Sequence, residues 1–276
     1  MTRRLHLLVS LLLLGGTAIA QEFWLEPVRF IVAPGAVVHL RRLMGRGFQQ
    51  PQRWAGRSSR LTTFRHYAPG QLPVDLLPTM AAADTLQSTL TIAQPGTHLL
   101  ALATNDAYST LAANEFNDYL REAKLDYIVA LRQQREEMQK PGREAYRRCA
   151  KTLVQAGPVS AADTARAWSR ATGLPLELVP EQNPYALHAG ASLTLRVLAA
   201  GRPVPGQVVQ VWQRTSLPAA PPLQLRSNQN GRVLFRLSGP GDYLVSTVRM
   251  TPALNHPQAE WQSTWSTLSF GFKPDR

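Results

Sequence analysis

The residues of this chain best suited to chemistry are its histidines, few enough to weigh singly. Beyond His6 they are His39, His66, His98, His188 and His256. Metal sites draw on imidazole and thiolate ligands held at short, regular spacings. No His-x-His, His-x3-His or Cys-x2-Cys pair occurs, so no such site is written locally. His39 and His98 fall at similar positions in two strand patterns, and His66 lies within a third, Leu61 to Tyr67. Three imidazoles on neighbouring strands of one face could hold a first-row metal, and His39, His66 and His98 are its candidate ligands. The plainer expectation makes them separate histidines facing water.

Other chemistries leave fainter traces. There is no Gly-x-Ser-x-Gly elbow for a nucleophilic serine. Gly45-Arg46-Gly47 lacks the lysine and the helix start of a phosphate loop. Glu136-Glu137 belongs to the wet side of a helix. Trp24, Trp54, Trp168, Trp212, Trp261 and Trp265 could form a sugar platform, but Trp261 and Trp265 stand four apart on one strand face, which suits core packing. The single cysteine, Cys149, has no disulfide partner, and its neighbours Tyr146, Ala150 and Leu153 suit a small buried apolar residue. No catalytic motif emerges, so the chain reads as non-enzymatic. An enzyme would need a cleft near Glu144, Tyr146, Asn183 and Tyr185, polar residues whose plainer role is to tie helices to a sheet.

The elements that must carry these residues are mostly strands. Ser192 to Leu198 alternates, Gln207 to Gln213 is rich in valine, and Leu223 to Arg226 leads into Asn228-Gln229-Asn230-Gly231, whose Asn-Gly pair suits a turn. Val233, Phe235 and Leu237 alternate, Gly239-Pro240-Gly241 turns the chain into Asp242 to Met250, and Trp261 to Phe272 closes the set. Short strands joined by Gly/Pro turns indicate an antiparallel sandwich. Gly35 to Leu43 lies over Gly190 to Leu198 without a gap, and Pro95 to Leu99 parallels Pro240 to Leu244, which points to two related halves.

Between the halves the period changes. Asn114 can cap a helix carrying Phe116, Tyr119 and Leu120, and Leu125, Ile128, Val129 and Leu131 continue that period. Pro141-Gly142 breaks it, and Arg143 to Leu153 shows Tyr146, Cys149, Ala150 and Leu153 at helical spacing. Ser160 with Asp163 resembles a capping box for a last short helix through Trp168 to Ala171. The expected fold is therefore mainly β with an α-helical middle: two antiparallel β-sandwiches, 21–112 and 174–276, joined by a helical section at 113–173.

Residues 1–20 read as a secretory signal peptide. Arg3 and Arg4 precede the short apolar run Leu5 to Leu14, and Ala18-Ile19-Ala20 offers a small-residue cleavage signal before Gln21. The run is too short to span a bilayer, so no retained membrane span is expected. The expected address is periplasmic or secreted. The net charge of +12 rests on arginine, since the lysines number four: Lys124, Lys140, Lys151 and Lys273. Such a surface could favour anionic partners. Its cations are scattered and match no nucleic-acid motif, so nucleic acid is not expected.

Several blocks resemble a family of exported bacterial proteins often labelled the periplasmic component of a nickel transporter. They are Glu22 to Pro27, Phe116 to Leu120, Arg143 to Leu153, Gly173 to Pro180 with Asn183-Pro184-Tyr185, and the Trp261 to Phe270 tail. The resemblance covers nearly the whole chain after residue 20, and the C-terminal part also looks like transthyretin-like modules of exported proteins. It implies a periplasmic location, Ig-like or transthyretin-like β modules, a link to nickel-type metal handling, and an envelope transporter or other periplasmic protein as partner. Family members commonly begin the processed chain with histidine; here that position is Gln21, so no metal ligand is carried over. The function expected is an exported binding or accessory protein linked to transition-metal uptake. Its alternative is an envelope scaffold or interaction module without a small-molecule ligand.

Overall fold

The computed structural model describes residues 21–80, 87–159, 165–215 and 220–273. The signal peptide read at residues 1–20 and the capping pair Ser160 and Asp163 lie outside them. The N-terminal strands are β1 (Glu22–Pro27), β2 (Ile31–Val32), β3 (Ala36–Arg46), β4 (Gln49–Arg53), β5 (Leu61–Tyr67) and β6 (Val74–Asp75). A single helical turn, α1 (Leu77–Met80), precedes β7 (Gln87–Ile92), β8 (Gly96–Thr104) and β9 (Ala107–Leu111). Helices α2 (Ala113–Glu122) and α3 (Asp126–Gln134) lead into the long strand β10 (Gly142–Ala156). The C-terminal strands are β11 (Leu176–Pro180), β12 (Ser192–Ala199), β13 (Arg202–Pro203), β14 (Val208–Arg214), β15 (Leu223–Arg226), β16 (Arg232–Arg236), β17 (Gly241–Pro252) and β18 (Trp261–Phe272). The chain is mainly β with a central helical segment, as its sequence leads one to expect.

Among the described residues the strands form three sheets. The central one has the order β15-β14-β17-β18-β10-β8-β5-β6, with β2 and β9 also pairing with β10. A second sheet joins β1, β3, β4 and β7, and a third joins β11, β12, β13 and β16. Side chains alternate across a strand, and β8 shows what this accomplishes. Leu100 and Leu102 pack with Phe23, Leu25, Val38 and Leu40 of the second sheet. Leu99, Ala101 and Ala103 point the other way, into a core with Leu176, Leu178, Leu193 and Leu195 of the third. The two outer sheets thus cover opposite faces of the central one. Helices α2 and α3 fill the remaining area, packing Phe116, Leu120 and Ile128 on Val248, Met250, Trp261 and Trp265.

One element departs from expectation. Arg143 to Leu153, whose spacing predicts a helix, belongs to strand β10. Cys149 and Leu153 face the core under the third sheet, while Ala150 and Val154 face the core under the second. With both faces covered, apolar residues fall on each side, so the period-2 alternation is lost and the spacing of Tyr146, Cys149, Ala150 and Leu153 matches a 3.6-residue period by chance. The same segment pairs in parallel with β18, from Glu144↔Trp261 to Thr152↔Ser269, in a molecule whose other long pairings are antiparallel. Two smaller differences concern the helices. Helix α2 begins at Ala113, so Asn114 is inside it and does not cap it, and Lys124 at φ 60° separates α2 from α3. Of the last short helix, one 3-10 turn, Ala167–Ser169, is described.

The two halves repeat one plan. Gly35 (φ 83°) and Gly190 (φ 81°) make the same left-handed turn before β3 and β12. Their N–H groups donate to Ile92 and Leu237 carbonyls, both at 2.8 Å. Strand β3 lies between β1 and β7 as β12 lies between β11 and β16. Strand β8 lies between β5 and β10 as β17 lies between β14 and β18.

A buried ion pair pins the third sheet to the central one. Lys151 of β10 pairs with Glu177 of β11, and both side chains are buried. The carboxylate also accepts from Thr172 N at 2.8 Å, Thr172 Oγ1 at 2.9 Å and Gly173 N at 3.1 Å, while Lys151 Nζ donates to the Arg170 carbonyl at 3.2 Å. Burial pulls the lysine pKa down and Glu177 opposes it. Removing one member leaves a desolvated charge alone. Glu177→Ala should therefore cost about 3–5 kcal/mol, and the matched change Lys151→Met with Glu177→Leu much less, in urea-unfolding midpoints.

Candidate functional site

Strands β5 and β8 are neighbours, and their pairing brings His66 and His98 together. His66 Nε2 lies 2.8 Å from His98 Nδ1, and the rings stack at 5.1 Å between centroids. His98 Nε2 is 2.8 Å from the Gln94 carbonyl. A carbonyl can only accept, so that nitrogen carries the hydrogen; neutral His98 then accepts at Nδ1, and His66 Nε2 donates. His39 is elsewhere. It sits on β3 between the buried Val38 and Leu40, so it points out of the second sheet, 3.2 Å from Thr89 Oγ1. The three imidazoles do not converge, and the nitrogens that His66 and His98 turn toward each other are engaged in one hydrogen bond. Among the described residues no group of three or more His, Cys, Asp or Glu side chains is placed to hold a metal ion. The residues present do not fit a three-histidine site.

The second neighbourhood, Glu144, Tyr146, Asn183 and Tyr185, separates into two clusters at opposite ends of β10. At one end Tyr119 Oη donates to Glu144 Oε1 at 2.9 Å, and Ser263 Oγ donates to the same oxygen. Burial raises the Glu144 pKa against these hydrogen bonds, and burial together with Glu144 raises that of Tyr119. Arg148 donates to the Gln21 carbonyl at 2.9 Å, and the Arg60 and Arg148 guanidiniums both lie over the Tyr146 ring. At the other end Asn183 Nδ2 donates to Thr97 Oγ1 at 2.7 Å, Thr97 to Gln155 Oε1 at 2.6 Å, and Tyr185 Oη to the Leu153 carbonyl at 2.9 Å. These groups fasten layers to one another. Burial pushes the Cys149 thiol up to about 11, the environment of an inert core residue. All six tryptophans are buried, as core packing requires.

Sequence reading missed a third place, a cleft where β1 and β3 meet the ends of β14, β17 and β18. Its floor is Glu26, buried and saturated: Trp24 Nε1 donates to it at 2.9 Å, Arg41 pairs with it, and Arg214 Nη1 lies 3.1 Å away. Arg214 also binds Asp242 at 2.8 Å, and its guanidinium carbon stands 4.3 Å from the Phe48 ring centroid. The linear spacing of residues 26, 41, 214 and 242 carries no signal for such a grouping; only the tertiary fold assembles it.

Stacked sheets with buried polar ties define a β-sandwich protein. Its family is the one described as a domain of unknown function (DUF4198): that model matches residues 18–251, and the chain belongs to it. No match is found among curated proteins. Among solved structures the chain is similar to the D0-D1 domain of intimin, at 11% identity over 92% of this chain and 100% of that one, with a TM-score of 0.19. The human OSCAR ligand-binding domain matches at 14% identity over 87% and 95%, TM-score 0.19. A tetra-tandem repeat of a large adhesion protein matches at 10% over 93% and 50%, TM-score 0.22. Superpositions this loose carry no functional argument.

The histidine pair makes stability depend on pH. Burial first, and His98 second, push the His66 pKa down to about 4, against about 6.5 in an unfolded chain. Between those values the unfolded chain binds a proton that the folded chain does not. Stability from this group is therefore full above about pH 6.5 and falls as pH drops toward 4, by about 3 kcal/mol in all. Urea midpoints measured from about pH 7 to about pH 4 should show this loss, and His66→Gln should remove that part of the slope.

Proposed function

We propose that this chain is an exported, non-enzymatic interaction module that docks acidic partners in the cell envelope through its arginine-bearing outer faces. One observation carries the reading. On the outward side of the third sheet Arg196 stands opposite Arg232, and Ser192 opposite Arg236. A single carboxylate, Glu181, serves both Arg196 at 3.2 Å and Arg232 at 2.9 Å. Leu234 lies between these arginines on the same strand face and is 58% exposed. A flat, solvated face with surplus positive charge and an apolar centre favours an acidic surface by complementarity. The ionisable groups with displaced pKa values along β10 are meanwhile hydrogen-bonded into the fold.

Export rests on the charged start, apolar run and small-residue cleavage signal of residues 1–20, with cleavage before Gln21 and a periplasmic destination. Among the described residues no helix is long and apolar enough to cross a membrane. A nickel-type accessory role beside an envelope transporter follows from the family resemblance, and in the fold it would rest on the His66–His98 pair alone. The geometry favours the docking module over it.

The test is retention of the full chain on immobilised polyglutamate. Retention at low salt should survive a chelator and fall away in about 1 M salt, where the screening length is about 3 Å. The double change Arg232→Glu with Arg236→Glu should abolish it, with only a small drop in the thermal midpoint, because the Arg232–Glu181 pair it breaks is a surface pair and Glu181 keeps Arg196. Retention insensitive to salt, or unchanged in the double variant, would overturn the reading. Calorimetric binding of nickel, copper or cobalt tighter than about millimolar would favour the metal reading instead.

A further inference from the structure

The cleft floored by Glu26 has a volume of about 420 Å³, inside the range of small-molecule sites, and it lies where two layers meet, a favoured location for them. Its charges do not balance. Four cations line it, Arg29, Arg41, Arg214 and Lys273, against two carboxylates, Glu26 and Asp242. Both carboxylates are already committed, Glu26 to Arg41 and Arg214, and Asp242 to Arg214. Arg29 and Lys273, both exposed, have no ion pair among the described residues. An incoming cation would meet acids that are already paired, whereas an incoming anion would meet cations that are not.

The rest of the lining is apolar. Phe30 and Phe272 are buried against the cleft wall, and Val28 and Ile31 stand exposed at 60% and 40% on its rim. Isolated exposed apolar side chains need no explanation, but two on the rim of a cavity that is also cationic mark a place for a ligand with one charged end and one greasy end. A simple inorganic anion would leave the exposed Val28 and Ile31 without a partner.

We propose that this cleft is a binding site for a small amphiphilic carboxylate, its headgroup held by Arg29 and Lys273 and its apolar body laid along the exposed Val28 and Ile31. The inference is separate from the docking face on the third sheet, which is built from other residues. The Glu26–Arg41–Arg214–Asp242 network keeps the floor rigid and electrically spent, so the cations at the mouth decide the sign of what enters. Carboxylates of other origin, such as a chain terminus, share the headgroup chemistry but not the free alkyl tail.

Calorimetric titration of the full chain with octanoate, octylammonium and acetate tests this. Octanoate should bind saturably at one site per chain, acetate at least about tenfold more weakly, and octylammonium not at all. Arg29→Glu with Lys273→Glu should weaken octanoate by at least about tenfold while the thermal midpoint holds, because both side chains are exposed and lie outside the ion-pair network. Arg29→Ala with Lys273→Ala should weaken it in the same direction, by less. Failure of octanoate to saturate, equal binding of octylammonium, or octanoate binding unchanged in both double variants would overturn the proposal.

Discussion

The parallel register of β10 against β18 holds the molecule together. Each half alone could close a small sandwich, with β8 or β17 as its inner strand, but neither has a free edge at β10 or β18 once those two strands pair. Pairing from Glu144↔Trp261 through Thr152↔Ser269 turns two half-sheets into one continuous layer. Parallel strands need both faces covered, and the second and third sheets, with α2 and α3, supply that cover. The seam strand therefore carries the densest set of buried polar ties: Glu144 to Tyr119 and Ser263, Thr152 to Ser269, Lys151 to Glu177, and Gln155 to Thr97.

Buried polar groups on such a strand are demanding, because any left without a partner would cost about 1–3 kcal/mol. They also restrict how the layers can slide. Lys151 reaches Glu177 in only one alignment of β11 over β10, and Tyr185 reaches the Leu153 carbonyl in only one position of its loop. The residues that look most catalytic in the sequence are thus spent on alignment.

Much of this was legible in the residues. Strands β5, β15 and β18 occupy the ranges expected of them, each flanked by Gly- or Pro-bearing segments. The face of α2 bearing Phe116, Tyr119 and Leu120 was legible from its helical period. Strand β10 was not, since burial on both sides erases the alternation that marks a strand. The neighbourhood of His66 and His98 could be anticipated from two strand patterns, but nothing in β3 says which sheet it joins, and that choice turns His39 away. The Glu26 cleft lay beyond reach because its members meet only after the halves dock.

The opposed placement of the two outer sheets has a geometric outcome. Their solvent sides point away from each other across the thickness of the central layer, His39 and Val37 on one, Leu234 and Arg236 on the other. Whatever rests against one side leaves its counterpart unobstructed, so a single copy can be gripped from both directions at once. Such a plate can bridge two bodies at a fixed separation, set by three stacked β layers at about 10 Å apiece.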